Sequence, residues 1–250
     1  MTMPAISVEH LSKDYFDSQG RVIHACSDLS FDANAGEVFG LLGTNGAGKT
    51  TALRMLSTVL RPTGGNAFVA GHSVVTHPEL VRKNIGFLSA DTGVYGRLTA
   101  REMIEYFGRL NGLDDDVIRE RVEAIAQSLD MGEFLSRRCD KLSSGQRQRV
   151  NIARTIVHDP AVLIFDEPTV GLDILSSAQI VRFIKESRQK GRCVIFSTHV
   201  MREAEKLCDR IAILHQGREC IAGTLNELQN RTGKQDLEDI FLEAIGEMPS

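Results

Sequence analysis

Short apolar runs alternate with amphipathic stretches along most of the chain, and this alternation predicts the architecture. Residues 38–42 read as a strand covered on both faces, because the run VFGLL holds no polar side chain. A Gly-rich turn and a helix through about Leu60 come next, stopped by the RPTGG run at 61–65. Residues 85–88, 162–165, 194–197 and 211–214 are further short strands rich in Val, Ile, Leu and Phe. Strands that alternate with helical segments imply an α/β fold of parallel strands joined by crossover helices.

Between about residues 92 and 150 the strand signal lapses. Thr99 and Glu102 have the T-x-x-E spacing of a capping box, in which hydroxyl and carboxylate satisfy the free N–H groups of a helix start. Ile104, Phe107 and Leu110 then recur as one apolar face, and Ile118, Val122, Ile125 and Leu129 form a second stripe. This pattern predicts a helical subdomain inserted into the α/β core. From about Thr224 the tail reads as short helices with Leu237, Ile240, Phe241 and Ala244 on one face. The expected organisation is one domain over 1–250: a core at 1–91 and 151–223, the helical subdomain at about 92–150, and the tail at 224–250.

Composition narrows the function classes. With 42% hydrophobic and 25% charged residues the chain falls among ordinary globular proteins, far from disordered ones. A net charge of −4 argues against a surface that grips nucleic acid throughout, so no nucleic-acid partner is expected. The longest apolar run, 161–165, is far short of the roughly 20 residues of a membrane-spanning helix. The N-terminus lacks the basic start and apolar stretch of a secretory signal. Five scattered cysteines, never in a C-x-x-C pair, read as free thiols in a reducing compartment.

Three segments carry chemistry. Gly43, Thr44, Asn45, Gly46, Ala47, Gly48, Lys49 and Thr50 fit G-x-x-x-x-G-K-[ST], and Thr51 follows. The match lies between a strand and a helix, where backbone N–H groups and the positive helix end can cradle phosphates. Lys49 is placed to reach the β- and γ-phosphates of a nucleotide, and Thr50 to ligate Mg2+. The apolar run 161–165 delivers Asp166 and Glu167 at a strand's C-terminal end, the edge where ligands bind in open α/β sheets. Asp166 suits a role beside Mg2+, and Glu167 suits polarising an attacking water. Ser143, Ser144, Gly145 and Gln146 open another helix with an S-x-x-Q capping box, offering a second phosphate-competent helix start. One nucleotide can hardly explain two such starts in one chain, whereas a nucleotide clamped between two chains can.

GTNGAGKTT, LSSGQ and LIFDEP, in that order, resemble the ATP-binding cassette family, the ATPase subunits of ABC transporters, over nearly the whole chain. The resemblance implies an ABC-type P-loop core with an antiparallel β region near the N-terminus. It also implies a D-loop role for Asp173, a γ-phosphate-contacting role for His199, and stacking of Tyr15 on adenine. Two positions depart from the family pattern. Ala90-Asp91 stands where the family commonly has Gln, and Ser144 replaces a Gly of the signature.

The mechanism implied is a head-to-tail homodimer that sandwiches two ATP molecules and opens on hydrolysis. The implied location is the cytoplasmic face of the plasma membrane, through separate multi-span permease subunits. Their contact is expected at the groove between the helical insertion and the loop 94–98. The segments IGFLSADTGVYGRLTAREMIEYFGRLNGL and DLEDIFLEAIG are similar to two-component bacterial exporters, especially NatA-like sodium exporters and related drug-export subunits. The alternatives are a non-transport cassette acting on ribosome or DNA, and an ATP-dependent regulatory module that hydrolyses weakly.

Overall fold

The computed structural model describes residues 3–89 and 92–246. The chain opens with β1 (Ile6–Phe16) and β2 (Val22–Ala33), and then β3 (Val38–Leu42) feeds a turn into α1 (Lys49–Leu56). β4 (Gly64–Val69), β5 (His72–Ser73), α2 (Pro78–Asn84) and β6 (Ile85–Leu88) follow, then α3 (Ala100–Leu110), α4 (Asp115–Ser128) and α5 (Ser144–Ile156). β7 (Val162–Asp166), α6 (Ile174–Gln189), β8 (Cys193–Thr198), α7 (Met201–Leu207), β9 (Arg210–His215) and β10 (Arg218–Gly223) complete the core. The chain closes on α8 (Leu225–Thr232) and α9 (Leu237–Ile245).

Two sheets result. The larger has the order β10-β9-β3-β8-β7-β6, parallel except for β10, which pairs antiparallel with β9 at the edge. Every residue of β3, β7 and β8 is buried, as an uninterrupted apolar run requires when both faces are covered. The smaller sheet, β2-β1-β4-β5, is antiparallel throughout, as the resemblance implied. Phe31 of β2 stacks on Phe39 of β3, centroids 4.7 Å apart, and binds the two sheets together.

The helical insertion is present with its caps. Thr99 Oγ1 accepts from the Glu102 N–H at 3.2 Å while Glu102 Oε2 accepts from the Thr99 N–H at 2.8 Å. A cap of this kind is worth about 1 kcal/mol. Ile118, Val122, Ile125 and Leu129 are all buried. Leu110 departs from its expected face and is 62% exposed, with Met103, Ile104 and Phe107 turned inward. The reason is geometric: six residues on from Ile104, a helix of 3.6 residues per turn points about 120° away.

Helix α1 ends at Leu56 rather than Leu60, because Thr58 adopts φ 62° and turns the chain back. Helix α5 runs unbroken past residue 150, the expected end of the subdomain. Its Val150, Ala153 and Ile156 share one core with Ile104 and Val122 of the insertion and with Phe165 and Val194 of the sheet. Leu237, Ile240 and Phe241 of α9 bury against Ile211 and Ile213, with Ala244 beside them. Among the described residues no helix is long and apolar enough to cross a membrane, and all five cysteines are free thiols.

Candidate active site

The loop after β3 closes on itself through Lys49. Lys49 is 4% exposed, and its ammonium donates to the Gly43 carbonyl at 2.7 Å and to the Thr44 carbonyl at 3.2 Å. Gly48 precedes the helix at φ 102°, and a Cβ there would lie 2.5 Å from the Ala25 carbonyl oxygen, so both conformation and space demand glycine. Thr44 through Thr51, together with Ile23, His24 and Glu167, line an open cleft above the start of α1. The start of α1, a lysine and three threonines thus line the same space, an arrangement suited to a polyphosphate.

Strand β7 ends on Asp166 and brings the next residue, Glu167, to that cleft. Asp166 is 1% exposed, and its Oδ1 accepts from the Ser197 hydroxyl at 2.7 Å. Ser197 Oγ also accepts from the Glu167 N–H at 3.0 Å, so one buried hydroxyl on β8 holds both acidic residues. Glu167 sits at φ 49°, a left-handed conformation that costs roughly 1–3 kcal/mol and is held by this contact. Its carboxylate lies between two nitrogens: Lys49 Nζ is 3.3 Å from Oε1, and His199 Nδ1 is 3.1 Å from Oε2. A carboxylate only accepts, so Nδ1 carries the proton in this pair and Nε2 faces away, available to another group.

The capping box that opens α5 is built as the sequence predicts. Ser143 Oγ accepts from the Gln146 N–H at 3.2 Å, and Gln146 Oε1 accepts from the Ser143 N–H at 3.0 Å. Asp173 caps α6 by accepting from the Ser176 N–H at 2.9 Å and its hydroxyl at 2.7 Å. These bonds, the backbone one foremost, hold the Asp173 carboxyl below its ordinary value. The two helix starts abut at Gly145, where a Cβ would sit 2.1 Å from Ser176 Oγ. None of Ser143, Ser144, Gly145 or Gln146 lines the Lys49 cleft. Ser144 instead borders a separate cleft with Gln148, Asn151 and Gly171, and Glu167 edges both.

Tyr15 is 39% exposed and lies one strand away from the Lys49 cleft, paired in register with Ile23, which lines it. Ala90 and Asp91 lie outside the described residues. The sequence reading passed over Ser197, and also Glu203 of α7. Glu203 Oε2 accepts from Thr169 Oγ1 at 2.8 Å and from Thr198 Oγ1 at 3.2 Å, tying the turn after Glu167 to the residue before His199. Their signal was faint, because each acts through a fold contact about 30 residues away in sequence rather than through a local motif.

The residues also fit a hard cation. Asp166 Oδ2 is buried and has no hydrogen-bond partner among the described residues. A carboxylate oxygen without a partner, one residue before the Glu167 that shares a cleft with Thr50, is the donor chemistry Mg2+ takes.

A largely parallel sheet with a phosphate-type loop after β3, an acidic pair at the end of β7 and a helical insertion carrying its own capped helix start define an ABC-type P-loop ATPase fold. The chain belongs to the ABC transporter family, whose model matches residues 26–170, as an ATP-binding subunit. It is 40% identical to ABC transporter ATP-binding protein NatA of Bacillus subtilis (strain 168), over 92% of this chain and 94% of that one. It is 34% identical to Nod factor export ATP-binding protein I of Ralstonia nicotianae (strain GMI1000), over 95% of this chain and 73% of the relative. The dimeric structure of MJ0796, a bacterial ABC transporter cassette, superposes with a TM-score of 0.77 at 26% identity, covering 88% of this chain and 98% of that one.

Proposed function

We propose that two copies of this chain clamp two ATP molecules head to tail and hydrolyse them to power export through a separate membrane permease. The observation that carries this reading is the Glu167 carboxylate held between Lys49 and His199 at the mouth of the phosphate-type loop. In this reading Gly43 to Thr51 cradle the phosphates, Lys49 neutralises the β- and γ-groups, and Tyr15 stacks on adenine. Thr50 and Asp166 would hold Mg2+, which when bound would offset phosphate charge. Glu167 takes a proton from water as its oxygen attacks the γ-phosphorus and the bond to the β-bridging oxygen breaks, leaving ADP and phosphate. His199 orients Glu167 through Nδ1 and offers Nε2 to the γ-phosphate.

Ser143 to Gln146 and Asp173 complete the site from the second copy. Two features support the clamp. The two helix starts open into separate clefts of one chain. Beside Asp173, Ile174 and Leu175 are 87% and 78% exposed, apolar surface that a second copy would cover. The related cassette that is dimeric supports the same assembly. The permease supplies the pathway and selects the solute, sodium ions or a small molecule, and it holds the chain at the cytoplasmic face of the membrane.

The test is Glu167→Gln with ATP and Mg2+ on size-exclusion chromatography. A dimer is expected; a monomer at saturating nucleotide would overturn the clamp.

A further inference from the structure

One strongly basic side chain has no anionic partner among the described residues. Arg154 of α5 is 8% exposed, and its guanidinium lies 4.6 Å from the ring centroid of Phe107 on α3. Among the described residues it forms no ion pair and no hydrogen bond, whereas the other buried arginine of the helix, Arg149, donates to the carbonyls of Leu129 and Asp130. Arg154 lines a groove between the core and the helical insertion, with Phe87, Phe107 and Val59 as apolar walls. The charged or titratable side chains that line it are Arg82, Arg154 and His158, and no described lining residue is a carboxylate. Val59, at the edge, is 61% exposed.

A buried charge is costly unless it is paired, and burial already works against the Arg154 charge. Stacking on one ring recovers only part of that cost. A planar guanidinium pinned against an aromatic face, with its nitrogens open to a groove, is pre-organised for bidentate pairing with a carboxylate. An apolar groove with a positive floor therefore fits a segment that brings apolar side chains around one acid.

We propose that Arg154 is the receptor for an Asp or Glu on the permease segment that enters this groove. The carboxylate pairs with the guanidinium stacked on Phe107, and the segment's apolar residues cover Val59 and Phe87. The pairing rests on the permease reading above and adds to it the chemistry of the contact.

The test places a photo-crosslinking residue at Val59 of the full chain in membranes of the cells it comes from, and maps the captured peptide by mass spectrometry. The expected capture is a cytoplasmic segment of a multi-span membrane protein that contains Asp or Glu. Arg154→Glu is expected to cut co-purification with that protein at least about thirtyfold, the loss typical of one broken buried charge pair. Replacing the partner's acid with Arg should restore association to Arg154→Glu. A captured membrane segment without an acid, an unchanged yield with Arg154→Glu, or failure of the reciprocal swap overturns the Arg154 assignment and leaves the export reading standing. Capture of ribosomal or DNA-binding proteins alone overturns both. Should Arg154→Glu not fold, Arg154→Lys serves instead: it keeps the charge but loses the planar fork, and undiminished association with it overturns the assignment.

Discussion

Lys49 and Glu167 face each other at 3.3 Å across the cleft, the ammonium of the phosphate-type loop against the carboxylate that ends β7. The lysine is thus held by the group that must let go of it for a γ-phosphate to enter. Glu167→Gln should raise ATP affinity, because a neutral amide competes less for the ammonium, while kcat falls about 10²–10⁴-fold with loss of the base. Lys49→Ala should weaken ATP about ten- to hundredfold, the worth of a charge-assisted bond to phosphate. Titration with a fluorescent ATP analogue and single-turnover phosphate release measure both. Equal affinity for ATP in all three proteins would refute the link.

Glu203 should act on the rate without touching nucleotide. Glu203→Ala leaves the hydroxyls of Thr169 and Thr198 without their acceptor, at a cost of roughly 1–3 kcal/mol each. That slackens the tie between the Glu167 turn and the His199 strand end. We expect a lower kcat with KM for ATP little changed, and partial recovery in Glu203→Gln, which keeps one acceptor oxygen. A double-mutant cycle with Thr169→Val should show coupling of about 0.5–3 kcal/mol, and strict additivity would sink the idea.

Gly145→Ala tests the contact between the two capped helices. The new methyl would overlap Ser176 Oγ, which Asp173 already holds, so the helix starts must separate. Overpacking of this kind costs about 1–3 kcal/mol. Thermal melting should report that loss, and the ATP-dependent dimer should weaken, while ATP affinity of the dilute monomer is retained. An intact dimer with unchanged melting would mean the helices part freely.

His158 gives a pH dependence of known sign. Burial lowers its pKa below the ordinary 6.5, although the bond from Nε2 to the Ile85 carbonyl, 2.9 Å long, acts the other way. The unfolded chain therefore binds a proton at a higher pH than the folded one. The contribution to stability is fully present above about pH 6.5 and is lost as pH falls toward the lowered folded value. Urea midpoints should drop between about pH 7.5 and 5.5, and His158→Gln should flatten that slope. An identical slope in the variant would show that other groups set it.

Much of this molecule is local and therefore readable in one dimension. The strand before Gly43, the loop to Thr51, the capping boxes at Thr99 and Ser143 and the apolar stripe of α4 each depend on residues within a few positions of one another. Propensity, capping and hydrophobic periodicity are short-range physics, so spacing alone predicts them. Leu110 and Thr58 mark the limit: a six-residue spacing does not keep one helix face, and a left-handed turn cuts α1 short.

Tertiary structure alone decided what meets across the sheet. That Ser197 holds Asp166 and Glu167 together, that His199 reaches the same carboxylate as Lys49, and that Arg154 is buried against Phe107 without an ion pair among the described residues follow from the parallel register of β7 and β8 and from the seating of α5 against α3. Those pairings join residues about 30 to 120 positions apart, and their energies depend on burial and on a neighbour's charge, which exist only once the chain has folded.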